Sequence, residues 1–245
     1  MTTGTMIPFS NLYRAEVRKA TDTRAARWLL GVTGLLTLAA AAVPVAFPHA
    51  VTQNRASFLT WSALGLTRLL PIALILAMTG EWRERNSLTT FTLEPRRGRV
   101  LAAKVAAGLG LSVIGLVLSV ASAELGVVVA DAVGRHVASG WNWAELAGVA
   151  AYIMLSSGIG IALGSAVHNT AAAIVTYFAL AVASSLLLIP AVQRIGNWVN
   201  TTTTFGWVLS GAWSGHGAQI ATSAAIWIAL PLAIGIVRFT RRDVH

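Results

Sequence analysis

The chain has 245 residues, of which 56% are hydrophobic and only 11% are charged, and its formal net charge is +9. Soluble domains carry about 25% charged residues, so this composition excludes an ordinary soluble domain. The chain has no cysteine, which excludes disulfides, thiolate nucleophiles and cysteine-based metal sites. The positive charge does not indicate a nucleic-acid partner, because the Lys and Arg residues are concentrated in a few loops.

The first predicted element is an amphipathic helix over residues 6–24. Its apolar residues recur at helical spacing, and its basic residues project from the opposite side. The apolar face comprises Phe9, Leu12, Tyr13, Val17 and Ala20. This pattern predicts an interfacial helix on the inner leaflet, with its arginines at anionic lipid headgroups. A short solvated tail is the alternative.

Six long apolar segments follow. A hydrocarbon core about 30 Å thick requires about 20 apolar residues per helical span, and the segments lack the alternating pattern of barrel strands. The predicted spans are 28–47, 58–80, 104–130, 145–167, 170–190 and 218–237. The sequence therefore predicts an all-α polytopic membrane protein with one transmembrane domain over residues 1–245.

The distribution of basic residues predicts the orientation of these spans. Of the 18 Lys and Arg residues, five precede span 1, six lie between the end of span 2 and the first residue of span 3, and three follow span 6. Basic residues are enriched in cytoplasmic loops. Six spans with both termini in the cytoplasm place these 14 residues on the favoured side.

Two ionisable residues are predicted to lie inside the membrane, Arg68 in span 2 and Glu124 in span 3. A lipid-exposed Arg at that depth costs about 2.5–3.5 kcal/mol. Both residues are candidates for the transport path, where Arg68 would attract an anionic headgroup or a peptide carboxylate. A structural Arg68–Glu124 pair and bonds from Arg68 to backbone carbonyls are the alternatives. Pro71 frees the carbonyl of Thr67, which predicts a kink near Arg68.

The segment 81–103 between spans 2 and 3 carries the densest charge. It contains a short predicted helix between two basic stems, with Leu88 and Phe91 at an apolar tip. Such a tip can fill a groove on a partner protein, with Arg83 and Arg85 at the partner's acidic rim. A loop that binds lipid headgroups without a partner is the alternative.

The same segment carries a motif that extends to the start of span 3. The motif falls on Glu81, Arg83, Thr90, Thr92, Leu93, Pro95, Arg96, Arg97, Arg99 and Lys104. It resembles the connection between spans 2 and 3 in permease subunits of type-2 ATP-binding-cassette exporters, of the small kind common in actinobacteria. Many relatives place Gly-Thr at the turn where this chain has Asn86-Ser87. The layout of the whole chain is also similar, from the basic amphipathic start to the long loop before the last span.

The resemblance implies a machine of two permeases, identical or homologous, and two ATPase subunits in a bacterial plasma membrane. It implies export of a drug, a peptide or a lipid-like amphiphile, with the ATPase docked at Arg83, Arg85, Leu88 and Phe91. ATP and Mg would bind to the ATPase, and the sequence has no GxxxxGK[ST] phosphate loop of its own. A non-transporting membrane anchor or sensor subunit of a multiprotein complex is the alternative function.

Small residues recur at every fourth position on two of the predicted spans. The two stripes are Ser156, Gly160 and Gly164 on span 4, and Gly115, Ser119 and Ala123 on span 3. This spacing lets helix backbones approach closely. The stripes are candidates either for a subunit interface with a second permease or for packing inside one helix bundle.

The loop 191–217 is rich in Trp and Phe and is predicted to dip back into the outer interface as one or two short helices. The resemblance implies that this region gates the outer exit. The sequence has no HExxH or GxSxG motif, and its histidines lack ligand spacing. Neither a catalytic residue nor a metal site is therefore predicted.

Overall fold

The computed structural model describes residues 8–83, 97–138, 140–186 and 193–241. Within these residues the regular elements are helices. In addition, one isolated β-bridge pairs Asn54 with Ala138. The helices are α1 (Phe9–Asp22), α2 (Arg24–Ala40), α3 (Val43–Ala46), α4 (Arg55–Arg83), α5 (Arg97–Ala132), α6 (Trp143–Val167), α7 (Thr170–Leu186), α8 (Gln193–Val199), α9 (Thr201–Leu209), α10 (Gly217–Ala224) and α11 (Leu230–Arg241). A π-helical turn, Ala225–Ala229, connects α10 to α11.

Five helical segments in the described part of the chain are long and apolar enough to cross a membrane. They are Arg24–Ala46, Arg55–Gly80, Gly98–Ala132, Trp143–Val167 and Gly217–Arg238. These segments confirm the prediction of an all-α protein with several membrane-length helices. The predicted span 170–190 corresponds to α7, whose 17 described residues have a length of about 25 Å. The count of six spans stays a prediction.

Several helix boundaries differ from the predicted spans. α2 ends at Ala40 and α3 begins at Val43, because Pro44 has no N–H to donate to the Ala40 carbonyl. α5 begins at Arg97, ahead of the predicted start at residue 104. Apolar composition marks the part of a helix that fits hydrocarbon, whereas backbone hydrogen bonds continue into the polar flanks.

α4 is the central helix of the bundle, and α2, α5 and α6 pack along it. Its side chains Phe58, Leu59, Leu74 and Ile75 are completely buried. Between membrane-spanning helices, close packing of such side chains stabilises the arrangement.

The small-residue stripe on α6 faces α4 of the same chain. A Cβ atom added to Gly160 would lie 2.7 Å from Pro71 Cα, and one added to Gly164 would lie 2.7 Å from Met78 Cβ. Ser156 is also buried. In the described chain this face therefore packs against α4 within one bundle, and its use at an interface with a second permease stays a prediction.

The stripe on α5 also faces α4. A Cβ atom added to Gly115 would lie 2.7 Å from the Leu66 side chain. The buried Ser62 hydroxyl donates to the Ser119 carbonyl across this contact at 2.9 Å. Ala123 is buried in the same core. Both stripes thus allow neighbours to approach opposite sides of α4.

The helix ends form two groups at opposite ends of the bundle. At one end, the Thr79 hydroxyl lies 2.7 Å from the Thr170 hydroxyl, which brings the end of α4 to the start of α7. At the other end, the N–H of Ala138 donates to the Gln53 carbonyl at 3.2 Å. This bond joins the loop before α4 to the loop after α5, as two antiparallel neighbours require.

The predicted amphipathic helix forms as α1, which packs against α5 at the same end as Thr79. Its Glu16 carboxylate lies 2.8 Å from Lys104 Nζ and 2.9 Å from Lys19 Nζ. The Glu16 and Lys104 side chains are each only 5% exposed. The sequence-based prediction did not use Glu16, although its position four residues after Leu12 places it on the apolar face.

Candidate functional site

A cavity of about 320 Å³ lies between α4, α6, α7 and α9. Most of its polar lining consists of hydroxyl groups on Thr67, Tyr152, Ser156, Tyr177, Thr201 and Thr202. Arg68 is the cation of this lining, and no carboxylate is among the described residues that line it. A polar chamber between membrane-length helices is the strongest candidate for a functional site.

α4 lacks one backbone hydrogen bond beside this cavity, which leaves a carbonyl group without its usual helical donor. Pro71 cannot donate to the carbonyl of Thr67, which is four residues earlier. The Tyr177 hydroxyl lies 3.5 Å from the Thr67 carbonyl and 3.4 Å from the Arg68 carbonyl. These long contacts correspond to weak hydrogen bonds. α7 thus offers a donor at the position where α4 lacks one, and α4 continues through Pro71.

The side chain of Arg68 reaches the surface of the described chain at the edge of the cavity. The ion pairs of the described residues do not include Arg68. The cavity therefore presents a guanidinium group with unused donors. Arg can bind carboxylate or phosphate through two parallel hydrogen bonds.

Glu124 lies outside the cavity lining and has a different partner from the one considered above. Its Oε1 atom is 3.4 Å from Nη1 of Arg55, although the angles do not form a hydrogen bond. Arg68 follows Arg55 by 13 positions, which is about 20 Å along a helix. The alternative of an Arg68–Glu124 pair is therefore corrected to an Arg55–Glu124 pair. The antiparallel packing of α5 on α4 brings late α5 residues to the beginning of α4.

Asn200 fixes the start of α9 beside the cavity. Its Oδ1 accepts a hydrogen bond from the backbone N–H of Thr202 at 2.8 Å, which is an N-cap bond. Its Nδ2 donates to the Ser184 carbonyl near the end of α7 at 2.8 Å. Asn200 is completely buried, so one side chain both begins α9 and attaches it to α7.

The inner face of α9 is enclosed by the last helical segment. The Thr204 hydroxyl donates to the Ser223 hydroxyl at 2.9 Å, and Trp227 in the π-helical turn donates to the Val199 carbonyl at 2.7 Å. Phe205 is 2% exposed and borders the cavity. The loop 191–217 thus contains two short helices, and α9 packs inside the bundle.

Of the candidate site residues predicted from the sequence, Arg68 and Ser156 both line the cavity. The sequence reasoning missed Tyr152 and Tyr177, because nothing in a single sequence shows which face of an apolar helix meets Arg68. It also missed the N-cap role of Asn200, although Asn before a run of Thr is a recognisable helix start.

The predicted ATPase-docking residues lie at the boundary of the described chain or beyond it. α4 ends at Arg83, whereas Arg85, Leu88 and Phe91 lie outside the described residues. In the described ranges, no group of three His, Asp or Glu side chains is placed to hold a metal ion. No protein-family model matches the chain, and no curated protein matches it significantly.

Proposed function

We propose that the chain is the transmembrane permease subunit of an ATP-driven exporter, with a separate ATPase on the cytoplasmic side of a bacterial plasma membrane. The cavity at Arg68 carries this proposal, because it is a polar chamber among helices of membrane-spanning length and composition. Removing hydroxyl groups and a cation from water costs free energy. Transport of a drug, a peptide or a lipid-like amphiphile explains why a membrane bundle contains such a chamber.

The sequence of the segment between α4 and α5 supports the same function. It resembles the ATPase-contacting segment of type-2 exporter permeases, and it carries a basic, apolar-tipped pattern on Arg83, Arg85, Leu88 and Phe91. The proposed assembly contains two ATPase subunits and a second permease, identical or homologous. In this assembly α7 is the fifth of six spans, and both termini are cytoplasmic.

The decisive test is whether the apolar tip of this segment holds the ATPase. Phe91→Ala should remove a candidate ATP-binding-cassette ATPase of the same genome from the purified permease. Anchors in desolvated pockets typically contribute about 2 kcal/mol or more, so affinity should fall by about 30-fold. Copurification and transport-coupled ATP hydrolysis measure the effect, and Thr89→Ala in the same segment is the matched control.

The charged residues of the segment should behave differently from its apolar tip. Arg83→Ala should weaken the association mainly at low salt, because exposed charge pairs are screened by ions. Normal ATPase binding and normal transport in both Leu88→Ala and Phe91→Ala would reduce the segment to a headgroup-binding loop. An ATPase that binds but whose hydrolysis never responds to cargo would support the anchor or sensor function instead.

A further inference from the structure

We infer that the cavity at Arg68 binds the oxyanion group of an amphiphile, a phosphate or a carboxylate attached to an apolar body. This inference rests on the proposed function, because it names the class of molecule that the same chamber accepts. Three features of the described residues carry it: the charge of the lining, its hydroxyl groups and its apolar wall.

The positive charge of the cavity lining favours an anionic ligand. Arg68 is the cation of the lining, and the described lining residues include no carboxylate. The acidic residue considered above as its partner, Glu124, lies against Arg55. A guanidinium group between membrane helices is unfavourable unless an anion or several acceptors satisfy its donors. An oxyanion matches its planar fork of N–H groups.

The hydroxyl groups can bind the oxygens that Arg68 leaves free. Tyr152 and Ser156 lie on α6, and Thr201 and Thr202 lie on α9, so donors converge from two sides of the chamber. Some hydroxyl groups of the lining already have partners, among them that of Tyr177, which is directed at carbonyls of α4, and that of Thr201, which lies 3.4 Å from the Ser184 hydroxyl. A hydroxyl can donate to an oxyanion without adding a competing charge.

The remaining wall is apolar and argues against a small free ion. Ile159, Leu180 and Phe205 line the cavity and are buried. The volume of about 320 Å³ falls at the lower end of the usual range for small-molecule sites, roughly 300–1,000 Å³. It accommodates a headgroup and the first carbons of a chain, while the rest of the chain can lie among lipids at the open edge next to Arg68.

The test uses the purified full-length chain in phosphatidylcholine nanodiscs and dodecyl phosphate as the probe. Isothermal titration, with empty nanodiscs as the blank, should show saturable binding to the wild-type chain. Arg68→Gln should lower the affinity about tenfold or more, because it removes a charge-assisted hydrogen bond. Arg68→Lys should retain only part of the affinity, because it keeps the charge but loses the planar fork of donors. Arg194→Gln is the matched control, since Arg194 is exposed on α8 and outside the cavity.

A second variant tests the site without changing its charge. Ser156→Leu should fill part of the chamber and lower the affinity for dodecyl phosphate, and an unchanged elution profile shows that the variant is folded. Wild-type affinity in Arg68→Gln would overturn the inference. Equal binding of dodecanol, which has the same chain and no oxyanion, would overturn the requirement for an anion. Displacement by equimolar inorganic phosphate would overturn the requirement for an amphiphile.

The binding assay contains no ATPase, so its failure is distinct from failure of the proposed function. If dodecyl phosphate binding depends on Arg68 but the ATPase does not dock at Phe91, the anion site is supported and the exporter is contradicted. ATPase docking at Phe91, together with binding that ignores Arg68, would contradict the anion site alone.

Discussion

Glu16 holds two lysines from two different helices at once. Lys19 follows it by one turn on α1, whereas Lys104 lies near the start of α5. Glu16 and Lys104 are nearly inaccessible to solvent, with 5% exposure each. Removing one member of such a buried pair typically costs about 3–5 kcal/mol. The pair therefore fixes α1 to the helix that continues from the proposed docking segment.

The first prediction at this scale concerns that pair. Glu16→Ala should destabilise the protein by about 3 kcal/mol or more, because Lys104 loses its carboxylate in a site that excludes water. Melting of the purified protein, followed by fluorescence-detected size-exclusion chromatography, measures the loss. Asp22→Asn is the matched control, since Asp22 is an exposed carboxylate on the same helix. Equal melting temperatures for the two variants would show that Glu16 is not a structural anchor.

A double variant separates the pair from other contacts of Glu16. Glu16→Ala combined with Lys104→Met removes both charges, and it should be less destabilised than the sum of the two single changes. Strict additivity would mean that the two side chains act independently and that the anchor lies elsewhere on α1.

Single residues show how far the sequence could specify the site. The position of Arg68 inside an apolar span follows from hydropathy, and so does the need for a partner. The identity of the partner does not follow, because depth along a span does not specify which neighbouring helix packs there. The pairing of Glu124 with Arg55 follows only from the antiparallel register of α4 and α5.

At the scale of helices, α4 decides the arrangement. Its neighbours present small residues to it from two sides. The backbones approach closely where Gly160 meets Pro71, and the side chain of Leu66 packs onto the α5 backbone at Gly115. The stripes were predictable because small residues recurred every fourth position. The partner was not predictable, because the same spacing serves a subunit interface and an internal contact equally well.

Two glycines on α6 give the prediction for this scale. Gly160→Ala should lower stability by about 1–3 kcal/mol, because the added methyl group meets backbone atoms of Pro71 that cannot move alone. Gly158→Ala should be neutral or slightly stabilising. Its methyl group would meet only side-chain atoms of Ile228, the nearest being Cδ1 at 3.1 Å, and Ala is the better helix former. Melting temperatures of the two purified variants compare the effects directly.

The oligomeric state of the Gly160 variant distinguishes the two roles of the stripe. If Gly160→Ala melts like the wild type but no longer assembles with a second permease, the stripe is a subunit interface. Loss of melting temperature with unchanged assembly would agree with packing against α4.

At the scale of the whole molecule, the open quantity is the number of membrane crossings. Hydropathy and helix length agree for five segments. α7 has 17 described residues, about 25 Å of helix, against a hydrocarbon core of about 30 Å. Length alone therefore does not decide whether α7 crosses. The answer determines the side on which α8, α9 and the C-terminus lie.

Single cysteines at three sequence positions test the number of membrane crossings, and the chain has no native cysteine to interfere. Thr52 and Ser214 are exposed in loops, and Ser87 lies in the basic segment between α4 and α5. With six spans, an impermeant maleimide should label Thr52→Cys and Ser214→Cys in intact cells. It should label Ser87→Cys only after the membrane is permeabilised.

The pattern of labelling separates the alternatives. If α7 does not cross, Ser214→Cys becomes protected like Ser87→Cys, while Thr52→Cys remains labelled. If Ser87→Cys reacts in intact cells and Thr52→Cys does not, the orientation is reversed. The basic segment would then face away from any cytoplasmic ATPase, and the proposed exporter would lose its energy source. Labelling of Thr52→Cys and Ser214→Cys alone places the Arg68 cavity between two aqueous sides, because α4 and α7, which line it, then both cross the membrane.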